Sequence, residues 1–93
     1  MKATIIKEFG KVETSALTLA HKEFLKGSCI PAHVHPGCDV FFTLVKGNMN
    51  IRIAGGEEYC LTPGAVLRFN GENTIEGSAL EDSEVFIYLV KEQ

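Results

Sequence analysis

Gly27-Ser28-Cys29-Ile30-Pro31-Ala32-His33-Val34-His35-Pro36-Gly37-Cys38-Asp39 is an extended run that ends in a turn, and its reading decides the fold. Side chains in a strand alternate between faces, so His33 and His35 project together and can present two ring nitrogens to one centre. The Pro36-Gly37 pair then reverses the chain. Asp39 follows closely enough to return beside the imidazoles, and two histidines with one carboxylate form the ligand set of many non-haem iron sites.

On either side of this run the sequence is punctuated by Gly10, Gly27, Gly47, Gly55-Gly56, Pro63-Gly64, Gly71 and Gly77. Breaks at such short intervals favour short strands joined by turns. The β-rich runs between them are Thr4 to Phe9, 17–25, 40–45, 48–54, 58–61, 66–69 and 85–90. In the second run Leu17, Leu19, His21, Glu23 and Leu25 alternate with Thr18, Ala20, Lys22 and Phe24, a period of two rather than of a helix. Eight or nine strands in so short a chain imply an all-β closed barrel or two-sheet sandwich.

A chain of 93 residues makes one domain, spanning residues 1–93, and at this size self-association adds useful buried surface. A hydrophobic share of 45% with 23% charged residues is an ordinary globular balance, and a net charge of −3 leaves no basic footprint for nucleic acid or for a membrane. No apolar run has the length of a membrane-spanning helix, and the start of the chain alternates rather than forming a leader, so a cytoplasmic protein is expected. Cys29, Cys38 and Cys60 cannot all pair within one chain and lack the C-x-x-C spacing of a zinc ribbon, so reduced thiols are expected. There is no nucleophilic triad pattern, phosphate loop or dinucleotide fingerprint, and hence no organic cofactor is expected.

Gly27, His33, His35 and Gly47 together resemble the first motif of the small single-domain cupins of the conserved-barrel type, written G-x5-H-x-H-x3-or-4-E-x6-G. The opening of the second motif is similar to the run from Gly56 through Pro63-Gly64 to Phe69. The resemblance implies a cupin-type double-stranded β-helix, or jelly-roll barrel, with a metal-binding cup and pairing into a homodimer. It is incomplete at two places. Asp39 has the family's spacing from His35, whereas counting back from Gly47 puts Val40 in the acid's position. Either a bulge or a longer turn lets Asp39 face the cup, or Asp39 faces away and two histidines remain. The last histidine of the second motif is missing, with Asn73 or Thr74 near its expected place.

The expected metal ligands are therefore His33, His35 and Asp39, for a divalent transition metal such as Fe, Mn, Ni or Zn. Cys38, Phe42, Arg52 and Thr74 are the expected pocket residues: a soft thiolate, an apolar wall, an anion-binding guanidinium and a hydroxyl. Cys29, Cys60 and His21 read as packing residues. Two functions remain open at this point. One is a cup that binds a metal and a small-molecule ligand and polarises the latter; the other is a metal-free barrel that binds or senses a small molecule without catalysis. A mainly structural role, with the strand faces buried in a dimer, is a third.

Overall fold

A computed structural model of the chain describes residues 2–92. It contains nine strands: β1 (Gly10–Glu13), β2 (Leu17–Phe24), β3 (Cys29–His33), β4 (Cys38–Lys46), β5 (Met49–Ile53), β6 (Glu57–Leu61), β7 (Val66–Asn70), β8 (Ile75–Ala79) and β9 (Ser83–Lys91). No helix occurs among the described residues, so none is long and apolar enough to cross a membrane. The strands form two antiparallel sheets, a five-stranded one in the order β1-β2-β9-β4-β7 and a four-stranded one in the order β3-β8-β5-β6.

Alternation along each strand makes the core. On β4, Val40, Phe42 and Leu44 are buried while Asp39, Phe41 and Thr43 are only half-buried. Met49, Ile51 and Ile53 answer them from β5 on the other sheet. Fully burying an aliphatic or aromatic side chain of this kind is worth about 1.5–3 kcal/mol, and residues from both sheets share one continuous cluster.

Gly47 closes β4 with φ near +97°, and a Cβ there would run into Ser83 and the Asp82 carbonyl, so both conformation and space demand glycine. Just before it, Leu44 pairs with Val85 but Lys46 pairs with Glu84, a bulge that takes up one extra residue of β4.

Two features of the strand assignment differ from the sequence reading. Residues 4–9, expected as an edge strand, form none; the edge is β1, which starts at Gly10 opposite His21. Gly10 adopts φ +130°, and Phe9 packs its ring on His21 at 4.5 Å between centroids, so the chain before β1 crosses the sheet face instead of extending it. Strand β8 was hidden because Ile75-Glu-Gly-Ser-Ala79 carries little β-branched content and a central glycine. Gly77 is required there because a Cβ would lie 2.5 Å from the Asn50 carbonyl oxygen and 2.8 Å from the Ile51 side chain.

Candidate functional site

The site lies at the end of β3. From Ile30 to His33 is three residues along β3 but only two along β8, from Gly77 to Ile75, so one extra residue is bulged. Strict alternation from buried Ile30 would turn His33 outward; the bulge brings it to the cavity side with Ile30. His35 follows, and the two rings meet edge to face at 4.8 Å between centroids. His33 Nδ1 lies 2.6 Å from the Pro31 carbonyl oxygen. A carbonyl can only accept, so Nδ1 is the donor in this contact.

The loop carrying His35 is tied down by Gly71. The His35 N–H donates to the Gly71 carbonyl at 2.8 Å, and the Gly71 N–H donates to the Cys38 carbonyl at 2.8 Å. The Gly37 N–H donates to a Glu72 carboxylate oxygen at 3.2 Å. The buried backbone contacts of Gly71 position His35, although Gly71 is not part of the cavity lining.

Beneath the imidazoles is a cavity of about 70 Å³ walled by apolar side chains, including Ile30, Phe42, Phe69, Ile75 and Leu89. Val40, 1% exposed, also lines it. Val40 stands directly across from Phe69 in the β4–β7 register, so carbon occupies both positions.

The expected site residues separate accordingly. His33, His35 and Phe42 come together on the cavity. Asp39 does not: it lies on the opposite face of β4 from Val40, where Arg68 donates to its Oδ2 from Nε at 3.0 Å and from a terminal nitrogen at 2.7 Å. The Arg68 guanidinium also sits 5.3 Å from the centroid of the Phe41 ring. The cause is register, since the position seven before Gly47 faces inward and Asp39 is its neighbour. Among the described residues no group of three or more His, Cys, Asp or Glu side chains gathers as a metal site would require.

The other three pocket candidates also fall outside the cavity lining. Cys38 serves the loop through its backbone, its N–H donating to the His35 carbonyl at 3.3 Å. Arg52 lies on the outer face of the four-stranded sheet between Glu58 at 3.2 Å and Glu76 at 3.5 Å, which neutralise it. Thr74 contributes its carbonyl to the Ala54 N–H. Cys29 and Cys60, read as packing residues, are exposed, because each lies on the outward parity of an alternating strand.

Lys11 and Lys22 line the cavity and were missed. Lys11 pairs directly across from Ala20, and Lys22 is two residues further along β2, so all three share the inner face. Alternation showed that Lys22 shares a face with Ala20 and not with His21 but left open which face is inward, and Lys11 joins only through the β1–β2 register. Burial lowers the pKa of His35 below its ordinary 6.5, and the nearby His33, Lys22 and Lys11 lower it further. His35 is accordingly neutral near pH 7.

On the far side of β2, His21 is buried against Phe86, with ring centroids 4.2 Å apart. Its Nε2 lies 2.6 Å from a Glu84 carboxylate oxygen, and its Nδ1 lies 3.1 Å from the Glu8 carbonyl oxygen. It is a packing residue of the outer face and takes no part in the cavity.

No protein-family model and no curated protein matches the chain. Solved structures do. A conserved protein of unknown function from Streptococcus pyogenes superposes with a TM-score of 0.79 at 24% identity, covering 88% of this chain and 70% of its own. An RmlC-like cupin family protein with a double-stranded β-helix fold, from Methanocaldococcus jannaschii, gives a TM-score of 0.80 at 17% identity over 98% of this chain and 85% of its own. The chain has the cupin fold. KdgF from a Halomonas species is also similar, with a TM-score of 0.78 at 24% identity over 88% of this chain and 76% of its own. Identities this low carry the fold alone, and cupin folds host unrelated functions. What this cupin barrel does must be argued from its own cup, where two histidines and two lysines join an otherwise apolar lining.

Proposed function

We propose that this cupin-fold protein is a binding cup for a small organic ligand that works without a resident metal and without catalysis. The observation that carries the reading is Val40: a buried aliphatic side chain occupies the inward position beside the histidines, and the neighbouring carboxylate, Asp39, is engaged by Arg68 on the other face. Two imidazoles fall short of the three protein ligands that hold a transition metal with open positions. The ammonium groups of Lys11 and Lys22 add repulsion against a dication. The same cavity is suited to a ligand, being concave, mostly apolar and equipped with a few polar groups at its mouth.

Elemental mass spectrometry of the untagged protein tests this, before and after reconstitution with iron, manganese, nickel and zinc. The expected result is no near-stoichiometric metal in either sample. Near-stoichiometric metal that disappears in the His33→Ala, His35→Ala double variant would overturn the reading in favour of a metal cup.

The outer face of the five-stranded sheet supports self-association into a homodimer. Val12, Val66 and Tyr88 are 39%, 55% and 36% exposed there, and Leu19 and Phe41 are only half-buried. An apolar face on strands already in register suits an isologous contact with a second copy. Sedimentation at micromolar concentration should give a dimer, and a monomer would contradict the pairing. Three free cysteines are in keeping with a reducing, cytoplasmic setting.

A further inference from the structure

Resting on that ligand-binding reading, we propose that the ligand is a small amphiphilic monoanion, a short carboxylate whose compact apolar body enters the cup while its head group meets Lys11 and Lys22. Three observations on the cavity support this. Its polar lining consists of lysine and histidine side chains alone, among the described residues; no acid, amide or hydroxyl side chain contributes. Among the described residues neither lysine forms an ion pair with a carboxylate, so both charges are available to a ligand. The protein as a whole carries a net charge of −3, so a mouth lined by two ammonium groups departs from the surrounding charge balance.

Geometry explains how these groups converge. Lys11 and Lys22 flank Ala20 on the inner face of the sheet. Ala20 is small and buried, so the residue between the two long side chains is not another large one. Long lysine side chains lay their methylenes along an apolar wall and keep the charged end at the rim. On the opposite side of the mouth, His33 holds its Nδ1 proton toward Pro31, and His35 is kept neutral by burial and by the cations around it. The lysines thus supply the positive charge, and the histidines supply shape and hydrogen bonds.

Below the mouth the chemistry changes abruptly. Ile30, Phe42, Phe69, Ile75, Ile87 and Leu89 offer nothing to a hydroxyl, so a sugar or a second carboxylate would be desolvated there without a partner. A space of about 70 Å³, at roughly 10–15 Å³ for each water-sized occupant, takes a body of about five to seven heavy atoms. A short branched-chain carboxylate has these dimensions and this polarity.

The test uses 3-methylbutanoate and its neutral isostere 3-methylbutanamide as probes, titrated into the full chain and followed through the methyl resonances of Ile30, Ile75, Ile87 and Leu89. The expected result is saturable shifts with the acid, at an affinity at least about tenfold above that of the amide, since hydrogen bonds to a charged group are the stronger ones. That preference should be lost in the Lys11→Met, Lys22→Met double variant and retained in Lys22→Arg, which keeps the charge. Equal binding of acid and amide would overturn the anion inference and leave the ligand cup standing. A preference unchanged in the double variant would remove the lysines from the account. No methyl shift with either probe, or a shift that appears only after zinc is added, would overturn the anion inference together with the metal-free cup beneath it.

Discussion

Replacing Gly71 by alanine should unfasten the histidine loop. Gly71 is buried, and a Cβ built on it would sit inside the van der Waals surface of the His35 carbonyl oxygen and 2.8 Å from the Cys38 carbonyl oxygen. Both are backbone atoms, so no side chain can swing aside. Forcing a methyl into such a site costs about 1–3 kcal/mol by overpacking. Moving the loop away also breaks two backbone hydrogen bonds, His35 N–H to Gly71 and Gly71 N–H to Cys38, each worth about 0.5–1.5 kcal/mol net. The combined destabilisation is about 2–6 kcal/mol, which for a domain of this size lowers the melting temperature by about 10 °C or more. Gly56→Ala is the control, because nothing lies within 4 Å of its would-be Cβ and its φ is not in the positive range. That variant should melt at or slightly above the wild-type temperature, through the reduced entropy of its unfolded chain. Thermal and urea unfolding followed by circular dichroism measure both, with the His35 ring resonances reporting on the site. Melting of Gly71→Ala within about 2 °C of wild type, or an equal loss in Gly56→Ala, would refute the steric argument.

Three further outcomes are expected. Asp39→Ala should leave the His33 and His35 ring resonances and probe binding unchanged, because Asp39 engages Arg68 on the outer face; a large change in the cavity resonances would place it back in the site. Val40→Glu should raise zinc or nickel affinity at least about tenfold in a chelator competition assay, by adding a carboxylate beside two imidazoles, and an unchanged affinity would show that Val40 is not what keeps metal out. The hydrogen bond that His21 donates to Glu84 raises the pKa of His21 above 6.5 against the lowering effect of burial. Because the folded pKa is the higher one, the stabilisation is fully present below about pH 6.5 and is lost as pH rises through the folded value. The wild type should therefore lose its melting-temperature advantage over Glu84→Gln as pH rises above about 6.5, and a constant difference would deny the linkage.

The histidine pair, the all-β class and the turn positions were legible in the chain because they depend on local rules. Proline and glycine stop a strand wherever they stand, and Val40, Phe42 and Leu44 alternate with their neighbours whatever they pair with. Strand β1 escaped notice because Gly10-Lys-Val-Glu13 is short, polar and exposed, and only its pairing with β2 makes it a strand. Strand β8 is likewise ordered by its neighbours β3 and β5.

Local rules alone left Asp39 and Val40 undecided, because one residue of offset exchanges the two faces of a strand. The sequence by itself determined that one of them would face inward and that His33 and His35 would be near each other. The tertiary structure decided the rest through non-local pairing. The β4 register against β7 and β9 turned Val40 into the cup, the β3 bulge turned His33 toward it, and the β1–β2 register brought Lys11 to its rim. Each of these depends on which strand lies alongside and at what offset, a choice made by burying one face of every strand at once.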